Sequence, residues 1–347
     1  MGFLSLTKNL FSFTKDIAID LGTANTIIIC DDKIMVDAPS VVALDRRTDK
    51  VLAVGEQARL MYEKTHDSIR TIRPLGDGVI ADFYAAEQMI RGMIKMINFK
   101  NHWFSPPLRV VVCVPSGATE VERRAVRDSS ERAGGREVYL IDEPMAAAVG
   151  IGLDVEAPEG HMVVDIGGGT TEVAVISLGG IVTKTSIRTA GDVFTEDIME
   201  YMRRQHNVKV GERTAESIKI NVGSVLTTLE NPPKDFVVHG PNLMTSLPLE
   251  VPISYQEIAH CLDKSILKVE TTIMNTLENT PPELYADIVH NGIYLTGGGA
   301  LMRGLEKRLT DKINIKFHVA EDPLRAVARG TGVALKHLNK FNFLYKN

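Results

Sequence analysis

The chain carries one short pattern twice: an apolar strand that contains an aspartate near its end, a turn with glycine, and a second apolar strand. The first copy spans residues 19–26 and leads into an apolar run that stops at a polar turn at Asp31 and Asp32. The second copy spans residues 164–171 and leads through residues 173–176 to a turn at residues 179–180. The repetition predicts two related halves, which agrees with a length of 347 residues and a usual domain size of about 150 residues.

Short apolar runs alternate with segments of helical periodicity along the chain. Four runs rich in β-branched or aromatic residues predict buried strands, at residues 17–19, 110–112, 162–164 and 292–295. Two sets of apolar residues recur at helical spacing, namely Phe194, Ile198 and Tyr201, and Val327, Ala334 and Leu338. The alternation predicts an α/β fold with helices packed on largely parallel sheets.

We expect two domains, each with a core sheet, helices and a smaller inserted subdomain. The first comprises residues 1–148 and 323–347, with its small subdomain at residues 34–74. The second comprises residues 149–322, with its small subdomain at residues 184–246. Ligands commonly bind at domain interfaces, so we expect a ligand cleft between the two domains.

Composition and cysteine usage exclude several classes of function. The formal net charge of −5 shows no basic excess, so nucleic acid is not an expected partner. Cys30, Cys113 and Cys261 are widely spaced and form no CxxC pair, which argues against a disulfide framework or a zinc site. A reducing cytoplasm is the expected compartment. No run of apolar residues is long enough to predict a membrane-spanning helix.

The two repeated turns have the composition of phosphate-binding turns. Glycine allows a ligand to approach the backbone closely, and successive amide groups in such a turn form a site for an anion. The predicted contacts are Gly167, Gly168 and Gly169 in one turn and Gly22, Thr23, Ala24 and Asn25 in the other. Asp20 and Asp165, at the two strand ends, are candidate ligands of Mg²⁺, through water. The alternative for each segment is an ordinary β-turn without a ligand.

A third glycine cluster follows the strand predicted at residues 292–295. Its backbone is a candidate surface for a flat base, with Met302 as soft packing. The predicted contacts are Leu295, Thr296, Gly297, Gly298, Gly299 and Met302. The alternative is a tight connection between a strand and a helix.

The helical segment at residues 215–219 offers polar groups for a ribose or a base. Glu216 and Lys219 are three residues apart and therefore share one face of the helix. The predicted contacts are Ala215, Glu216, Ser217, Ile218 and Lys219. The alternative is a solvated ion pair, which contributes little by itself.

Glu143 is the candidate catalytic carboxylate. It stands at a predicted strand-to-helix junction, and Pro144 suits the first turn of a helix. A carboxylate there can orient the water that attacks a γ-phosphate. The alternative is a favourable charge at the start of a helix. The small-residue helices predicted after Glu143 and after Asp322 suit close helix packing and a hinge.

Five of these segments, taken in chain order, resemble the signature of the actin superfamily, which sugar kinases, DnaK-type chaperones and actin share. They are the turn at residues 22–25, the helix after Glu143, the turn at residues 167–169, the glycine cluster at residues 297–299 and the helix after Asp322. Within that superfamily the chain is similar to the MreB/Mbl family of bacterial actins over nearly its whole length. The similarity is carried by residues 19–26, 73–83, 113–124, 142–150, 162–177 and 296–305.

The resemblance implies a cytoskeletal protein that binds ATP (GTP being the alternative) with Mg²⁺. It implies self-assembly into filaments of paired protofilaments on the inner face of the cytoplasmic membrane, where anionic lipid and membrane proteins of the elongation machinery are partners. The implied role is to organise cell-wall synthesis and so determine rod shape. It also implies that Glu143 and Thr170 position the hydrolytic water.

Two departures from the family pattern are modest. Asp142 stands where many relatives carry Glu, and residues 190–192 read Ala-Gly-Asp instead of Gly-Gly-Asp. We expect neither to touch the hydrolytic centre. Residues 221–252 match least well, and the polar, proline-rich part from residue 231 is typical of a surface excursion.

The N-terminal segment at residues 2–13 has the pattern of an interfacial membrane helix. Phe3, Leu6, Leu10 and Phe13 share one helical stripe, and the only charged residue within the segment is Lys8. A loop with Trp103 and Phe104 adds a second candidate membrane contact. The alternatives are a helix packed on its own domain, a frayed terminus, and a tryptophan that fills the core.

Two other classes of function share this fold. A small-molecule phosphotransferase of the sugar- or acetate-kinase type needs a substrate pocket, and no inserted segment suggests one. A chaperone-type ATPase needs a substrate-binding domain, and residues 336–347 are too few to form it. Because fold alone does not decide between such functions, both alternatives stay open here.

Overall fold

The computed structural model describes residues 14–97, 107–338 and 340–346. The described part of the chain divides into two compact units. The first unit comprises the residues up to Val114, Ala118–Gly150 and the residues from Val327 onward. The second unit comprises Pro115–Gly117 and Ile151–Ala326.

Fourteen helices and strands of the described residues precede residue 151. In chain order they are β1 (Lys15–Leu21), β2 (Asn25–Cys30), β3 (Lys33–Pro39), β4 (Val42–Asp45), β5 (Val51–Val54), α1 (Glu56–Met61), β6 (Ile69–Ile72), β7 (Leu75–Gly76), β8 (Val79–Ile80), α2 (Phe83–Met96), β9 (Leu108–Val114), α3 (Glu120–Arg132), β10 (Gly135–Asp142) and α4 (Glu143–Gly150).

The remaining elements lie between residues 151 and 336. They are β11 (His161–Ile166), β12 (Thr171–Ser177), β13 (Gly180–Ile187), α5 (Gly191–His206), α6 (Glu212–Val222), β14 (Phe236–Pro241), β15 (Pro248–Ile253), α7 (Tyr255–Glu278), α8 (Pro282–Asn291), β16 (Ile293–Thr296), α9 (Leu305–Ile313), β17 (Phe317–Val319) and α10 (Ala326–Lys336). Short 3₁₀ helices occur at Gly298–Leu301 and Pro323–Arg325.

The main sheets of the two units have the same topology. Strand order is β10-β9-β1-β2-β3 in the first unit and β13-β12-β11-β16-β17 in the second. In each, three strands form antiparallel hairpins and two further strands join in parallel. The α/β class and the two related halves are therefore confirmed.

The expectation of largely parallel sheets is wrong, because both sheets are mixed. Each glycine turn joins two neighbouring strands directly, and a direct turn forces antiparallel pairing. Only connections that contain a helix return the chain parallel, as between β1 and β9. The run of buried residues in β1, β9 and β11 reflects strands that are covered on both faces.

Two tight connections take left-handed conformations. Asp31 and Asp32 both have positive φ in the turn between β2 and β3, and Leu178 and Gly179 do so between β12 and β13. Consecutive residues with positive φ give the type of turn that matches the twist of a hairpin.

Within the stretch interpreted as a surface excursion from residue 231, residues 236–253 form a hairpin of β14 and β15. Val238 in β14 and Val251 in β15 are buried and belong to the core of the second unit. The alternation of buried and exposed residues in the two strands explains why the segment looks polar in sequence.

The two small-residue helices of the first unit pack closely together. A Cβ atom at Gly330 in α10 would overlap the carbonyl oxygen of Ala146 in α4. The close packing expected of the Ala-rich helix is thus confirmed. Residue 323 opens a 3₁₀ helix rather than α10 itself, and Leu338 lies beyond the end of α10 at Lys336.

The predicted membrane segments lie outside the described residues. This holds for residues 2–13, with Phe3, Leu6, Leu10 and Phe13, and for Trp103 and Phe104. Within the described ranges, none of the helices is both long enough and apolar enough to cross a membrane.

Candidate functional site

The first turn, between β1 and β2, is held by hydrogen bonds to two of its carbonyl groups and to one side chain. The carbonyl oxygen of Gly22 accepts a hydrogen bond from Ser40 Oγ at 2.6 Å, and that of Ala24 accepts one from the Ser40 amide at 2.9 Å. The hydroxyl of Thr23 accepts from the Gly78 amide at 3.1 Å. Among the described residues, the amides of Thr23 and Ala24 donate to no protein acceptor. The turn therefore has the polarity of an anion site.

Asp20, in β1 just before this turn, is held by the neighbouring parallel strand. Ile19 lies opposite Val112 in the register of β1 and β9, so the next residues, Asp20 and Cys113, are adjacent. The thiol of Cys113 donates to Asp20 Oδ1 at 3.2 Å. Burial raises the pKa of Asp20 to about 6, against the effect of this hydrogen bond and with a smaller contribution from Asp37.

Glu143 lies close to the same group of side chains. Burial raises the pKa of the Cys113 thiol well above its usual range, and the charges of Asp20 and Glu143 raise it further. Glu143 is the first residue of α4 and follows Asp142 directly. Asp142 itself accepts a hydrogen bond from Arg123 at 2.8 Å, so its carboxylate is engaged elsewhere. Asp20, Cys113 and Glu143 form the polar cluster of the first unit.

The second turn, between β11 and β12, is closed and supported by the start of α5. The Gly167 amide donates to the carbonyl oxygen of Thr170 at 2.9 Å. The carbonyl oxygens of Gly167 and Gly168 accept from the amides of Gly191 at 3.1 Å and Asp192 at 2.8 Å. In the described part of the chain, the Gly168 and Gly169 amides donate to no protein acceptor. This turn, too, presents free amide donors.

That the departure at residues 190–192 does not touch the hydrolytic centre stays a prediction. Gly191 and Asp192 nevertheless hold the turn that leads into Thr170. This support comes from tertiary structure. The first amides of a helix have no acceptor within the helix, and at the start of α5 they donate to the carbonyl groups of the glycine turn.

Asp165, one residue before the end of β11, repeats the arrangement of Asp20. Its register partner in β16 is Thr296, whose hydroxyl donates to Asp165 Oδ1 at 3.1 Å. Asp165 is buried. Both strand-end carboxylates therefore accept a hydrogen bond from the adjacent parallel strand.

The third glycine cluster packs against the strand end that carries Asp165. Gly297 has a φ of 78°, and a Cβ there would stand 2.5 Å from Asp165 Oδ1 and overlap the Ile166 carbonyl. A Cβ at Gly299 would stand 2.7 Å from Cβ of Ile166. Only Gly298 has room for a side chain, 3.2 Å from the flexible Leu324. Glycine is thus required at Gly297 and Gly299 by close approach.

The ion pair of α6 is tied to the start of α5. Lys219 Nζ lies 2.6 Å from Glu216 and donates to the Gly191 carbonyl at 2.7 Å and to Thr195 Oγ1 at 3.0 Å. Thr195 in turn donates to Glu216 at 2.8 Å. The pair is therefore fixed in position, and Glu216 keeps an exposed side toward solvent.

Three of the predicted contacts have no side chain available to a ligand. Ala215, Ile218 and Leu295 are fully buried in the core of the second unit, which leaves only their backbones. The Ser217 hydroxyl donates to the carbonyl oxygen of Arg213 at 3.0 Å. Met302 lies against the end of α6, where a Cβ at Gly223 would stand 2.9 Å from its Sδ.

The residues present fit a Mg²⁺-nucleotide. Each unit offers a turn with free amides, suited to phosphate, beside a carboxylate. Nowhere in the described ranges do three or more His, Cys, Asp or Glu side chains converge on one metal position. Mg²⁺ suits such a site because it keeps most of its water and takes few protein ligands along with phosphate oxygens.

Each unit brings its predicted site residues together. The first unit groups Asp20, the turn at residues 22–25, and Glu143. The second unit groups Asp165, residues 167–170, the Glu216–Lys219 pair and residues 297–302. Sequence reasoning missed four supporting residues, namely Ser40, Cys113, Gly191 and Thr195, because only strand register and helix docking bring them to the site.

The chain is similar to known proteins over most of its length. Residues 14–343 match the family described as MreB/Mbl protein. The cell shape-determining protein Mbl of Bacillus cereus is 45% identical over 329 residues, which cover 94% of this chain and 98% of that protein. The cell shape-determining protein MreB of Escherichia coli is 47% identical over 334 residues, which cover 94% of this chain and 95% of that protein.

A solved structure is similar in three dimensions as well. The crystal structure of MreB5 of Spiroplasma citri bound to AMPPNP has a TM-score of 0.88 and 37% identity, and the match covers 94% of this chain and 97% of that one. On the sequence match and this structural similarity, the chain belongs to the MreB/Mbl family.

Proposed function

We propose that this protein is a cytoskeletal ATPase, which binds Mg-ATP, polymerises with copies of itself and contributes to cell shape. The observation that carries the proposal is the paired arrangement of Asp20 and Asp165, each beside a turn with free amide groups. Relatives named cell shape-determining proteins and a relative crystallised with AMPPNP support it. GTP remains an alternative nucleotide.

The proposed roles follow from the chemistry of each group. The amides of Thr23, Ala24, Gly168 and Gly169 donate to phosphate oxygens, as amide groups in such turns do. Mg²⁺, when bound, would neutralise phosphate charge, and the strand-end carboxylate of each unit, Asp20 or Asp165, would be available to hold it through water.

Glu143 and Thr170 are the proposed hydrolytic residues. Glu143 accepts a proton or a hydrogen bond from the attacking water, as the water-positioning residues of nucleoside triphosphatases do. Thr170 belongs to the turn that holds the phosphates and orients the same water. A Glu143→Gln variant is then expected to bind ATP normally and to hydrolyse it at least about a hundredfold more slowly.

Polymerisation is the property that separates a cytoskeletal protein from a phosphotransferase. The test is sedimentation of the purified full chain at rising concentration, with Mg-ATP, with Mg-ADP and without nucleotide. The proposal expects a pellet that appears above a critical concentration and requires ATP. A chain that binds ATP but stays in the supernatant at every concentration contradicts it and favours the phosphotransferase.

We also propose that the filaments consist of paired protofilaments at the inner face of the cytoplasmic membrane, where they organise cell-wall synthesis with elongation-complex membrane proteins. The support is the apolar stripe of residues 2–13, together with Trp103 and Phe104. One such segment binds weakly, and a filament that presents many copies binds by avidity.

The membrane proposal has its own experiment. Polymer of the full chain and of a variant lacking residues 2–13 is floated with vesicles of anionic lipid and with neutral vesicles. The proposal expects flotation of the full chain with anionic vesicles and little flotation of the shortened chain. Equal flotation of both chains contradicts it, whereas the polymerisation assay is unaffected by either result.

A further inference from the structure

A single arginine joins two of the segments that carry candidate nucleotide contacts. One segment is α6, which carries Glu216 and Lys219 and ends at Val222. The other is the base turn, by which we mean residues 297–302. The chain that leaves α6 at residues 223–226 runs beside Arg303, which directly follows the base turn.

The side chain of Arg303 caps the end of α6. Its Nη1 donates to the carbonyl oxygens of Ile220 at 3.1 Å and Gly223 at 3.2 Å. The last carbonyls of a helix have no partner inside the helix, and a cation there also interacts favourably with the helix dipole. The guanidinium group therefore donates hydrogen bonds to carbonyl oxygens at the helix end that would otherwise have no donor.

The main chain of Arg303 holds the same segment from the other side. Its carbonyl oxygen accepts from the amide of Val225 at 3.0 Å and from the hydroxyl of Ser224 at 3.4 Å. With its side chain and its backbone, Arg303 thus bonds to one residue in the last turn of α6 and to the three residues that follow the helix, namely Ile220, Gly223, Ser224 and Val225.

The residues that connect α6 to the base turn are closely packed. A Cβ at Gly223 would stand 2.9 Å from Met302 Sδ and would overlap the Lys219 carbonyl. A Cβ at Gly304, which has a φ of 80°, would stand 2.8 Å from Leu226. A shift of α6 relative to the base turn therefore moves Met302 or Leu226 directly.

We propose that Arg303 is a positioning residue for the purine base. It fixes the spacing between the face of α6 that carries Glu216 and Lys219 and the base turn at residues 297–302, and this spacing sets the affinity for the base and the discrimination between purines. The inference rests on the proposed nucleotide function and deepens it.

The contacts argue for positioning over general stability. The core of the second unit consists of other residues. The neighbouring Arg308 joins α9 to α7 through Glu270 at 2.5 Å and also donates to the carbonyl oxygen of Val225 at 3.1 Å, so the segment after α6 keeps one anchor when Arg303 is lost. Among the described residues, the hydrogen bonds of Arg303 go to the end of α6 and to the residues that follow it. Its loss is expected to loosen one junction and to leave the fold intact.

The experiment compares Arg303→Met, Arg303→Lys and the matched surface control Lys307→Met, whose residue pairs only with Asp311 on the same helix. The dissociation constants of Mg-ATP, Mg-GTP and inorganic tripolyphosphate are measured by calorimetry on the full chain. Arg303→Met is expected to weaken ATP about tenfold, the loss that fits one charged hydrogen bond, and to reduce the ATP-to-GTP preference. Tripolyphosphate, which has no base, should bind as to wild type.

Two further variants, Arg303→Lys and Gly223→Ala, complete the test. Arg303→Lys should restore most of the ATP affinity, because an ammonium can still donate to both carbonyls. Gly223→Ala, which displaces Met302 and leaves the Arg303 side chain in place, should reproduce the base-specific loss if Arg303→Met fails to fold. Equal weakening of ATP and tripolyphosphate, or unchanged ATP affinity in folded variants, overturns the inference. A wild-type chain that binds no nucleotide overturns the proposed function instead.

Discussion

The Cys113 thiol donates a hydrogen bond to the Asp20 carboxylate across two parallel strands, with 3.2 Å between Sγ and Oδ1. Thr296 does the same for Asp165 in the second unit, at 3.1 Å. The carboxylate and its donor stand at equivalent positions in the two halves, but the donor is a thiol in the first and a hydroxyl in the second. A thiol is the weaker donor, which leaves the Asp20 charge less compensated.

The weaker compensation of the Asp20 charge should be visible in how the stability of the protein depends on pH. Asp20 titrates at about 6 in the folded chain, against 3.8 for an unperturbed aspartate, because of burial. The folded state therefore binds the proton more tightly, so the metal-free protein loses stability as pH rises from about 4 to about 6, by on the order of 1–3 kcal/mol from this group. Asp20→Asn removes that loss.

The measurement is urea unfolding in a chelating buffer, from about pH 4 to about pH 8. Asp20→Asn should gain stability relative to wild type as pH rises, and the gain should level off above about pH 7. A difference between the two proteins that stays constant over the whole range contradicts the account. Added Mg-ATP should stabilise wild type more than the variant.

Substitution by alanine should weaken Mg-ATP binding at Gly297 but have little effect on it at Gly298. A Cβ at Gly297 would stand 2.5 Å from Asp165 Oδ1 on a backbone with a φ of 78°, whereas Gly298 meets only a flexible leucine tip at 3.2 Å. We expect Gly297→Ala to weaken Mg-ATP binding at least tenfold, or about 1.4 kcal/mol, and Gly298→Ala to bind nearly as wild type. Calorimetric titration of both folded variants distinguishes the outcomes, and equal affinities would refute the required close approach.

The contact between α4 and α10 predicts opposite effects of two alanine substitutions in one helix. Gly330→Ala overlaps the Ala146 carbonyl, and overpacking of this kind costs about 1–3 kcal/mol. Gly332→Ala reaches Ile29 at an ordinary 3.5 Å and should gain up to about 1 kcal/mol from helix propensity. Denaturant unfolding of the two variants measures whether each substitution lowers or raises the free energy of unfolding. If Gly330→Ala is as stable as Gly332→Ala, the helices are not in contact.

The C-terminal segment should stabilise the edge strand β10. Tyr345 pairs with Leu140 through two backbone hydrogen bonds, at 3.0 and 3.2 Å, and its hydroxyl accepts from Arg123 at 2.6 Å. Tyr345→Phe should cost about 1 kcal/mol of unfolding free energy. The control is Tyr84→Phe, which removes an exposed hydroxyl bonded to Asp49 and should change little. Equal effects of the two substitutions would contradict a specific role for Tyr345.

Local pattern alone was enough to predict the elements that carry the site. The buried strand at residues 17–19, the turn after Asp20 and the helix with Glu216 and Lys219 each follow from spacing and composition within a few residues. For the same reason the strand-to-helix junction at Glu143 lies where the sequence placed it.

Features that depend on contacts between distant segments were not predictable in this way. The partner of Asp20 is set by the register of β1 on β9, and the role of Gly191 depends on the docking of α5 against the glycine turn. The hairpin at residues 236–253 was missed because its exposed face is polar and proline-rich, while Val238 and Val251 pack inward. Each of these depends on what a residue packs against, which a single sequence does not state.

The most direct test of the central claim, ATP hydrolysis coupled to self-assembly, is phosphate release measured as a function of protein concentration, with Mg-ATP and no added acceptor. The account predicts little release below a critical concentration, a steep rise above it, and a Glu143→Gln variant that pellets at the same concentration without releasing phosphate. Release that rises in simple proportion to concentration from the start, or that appears only when a small-molecule acceptor is supplied, would contradict it.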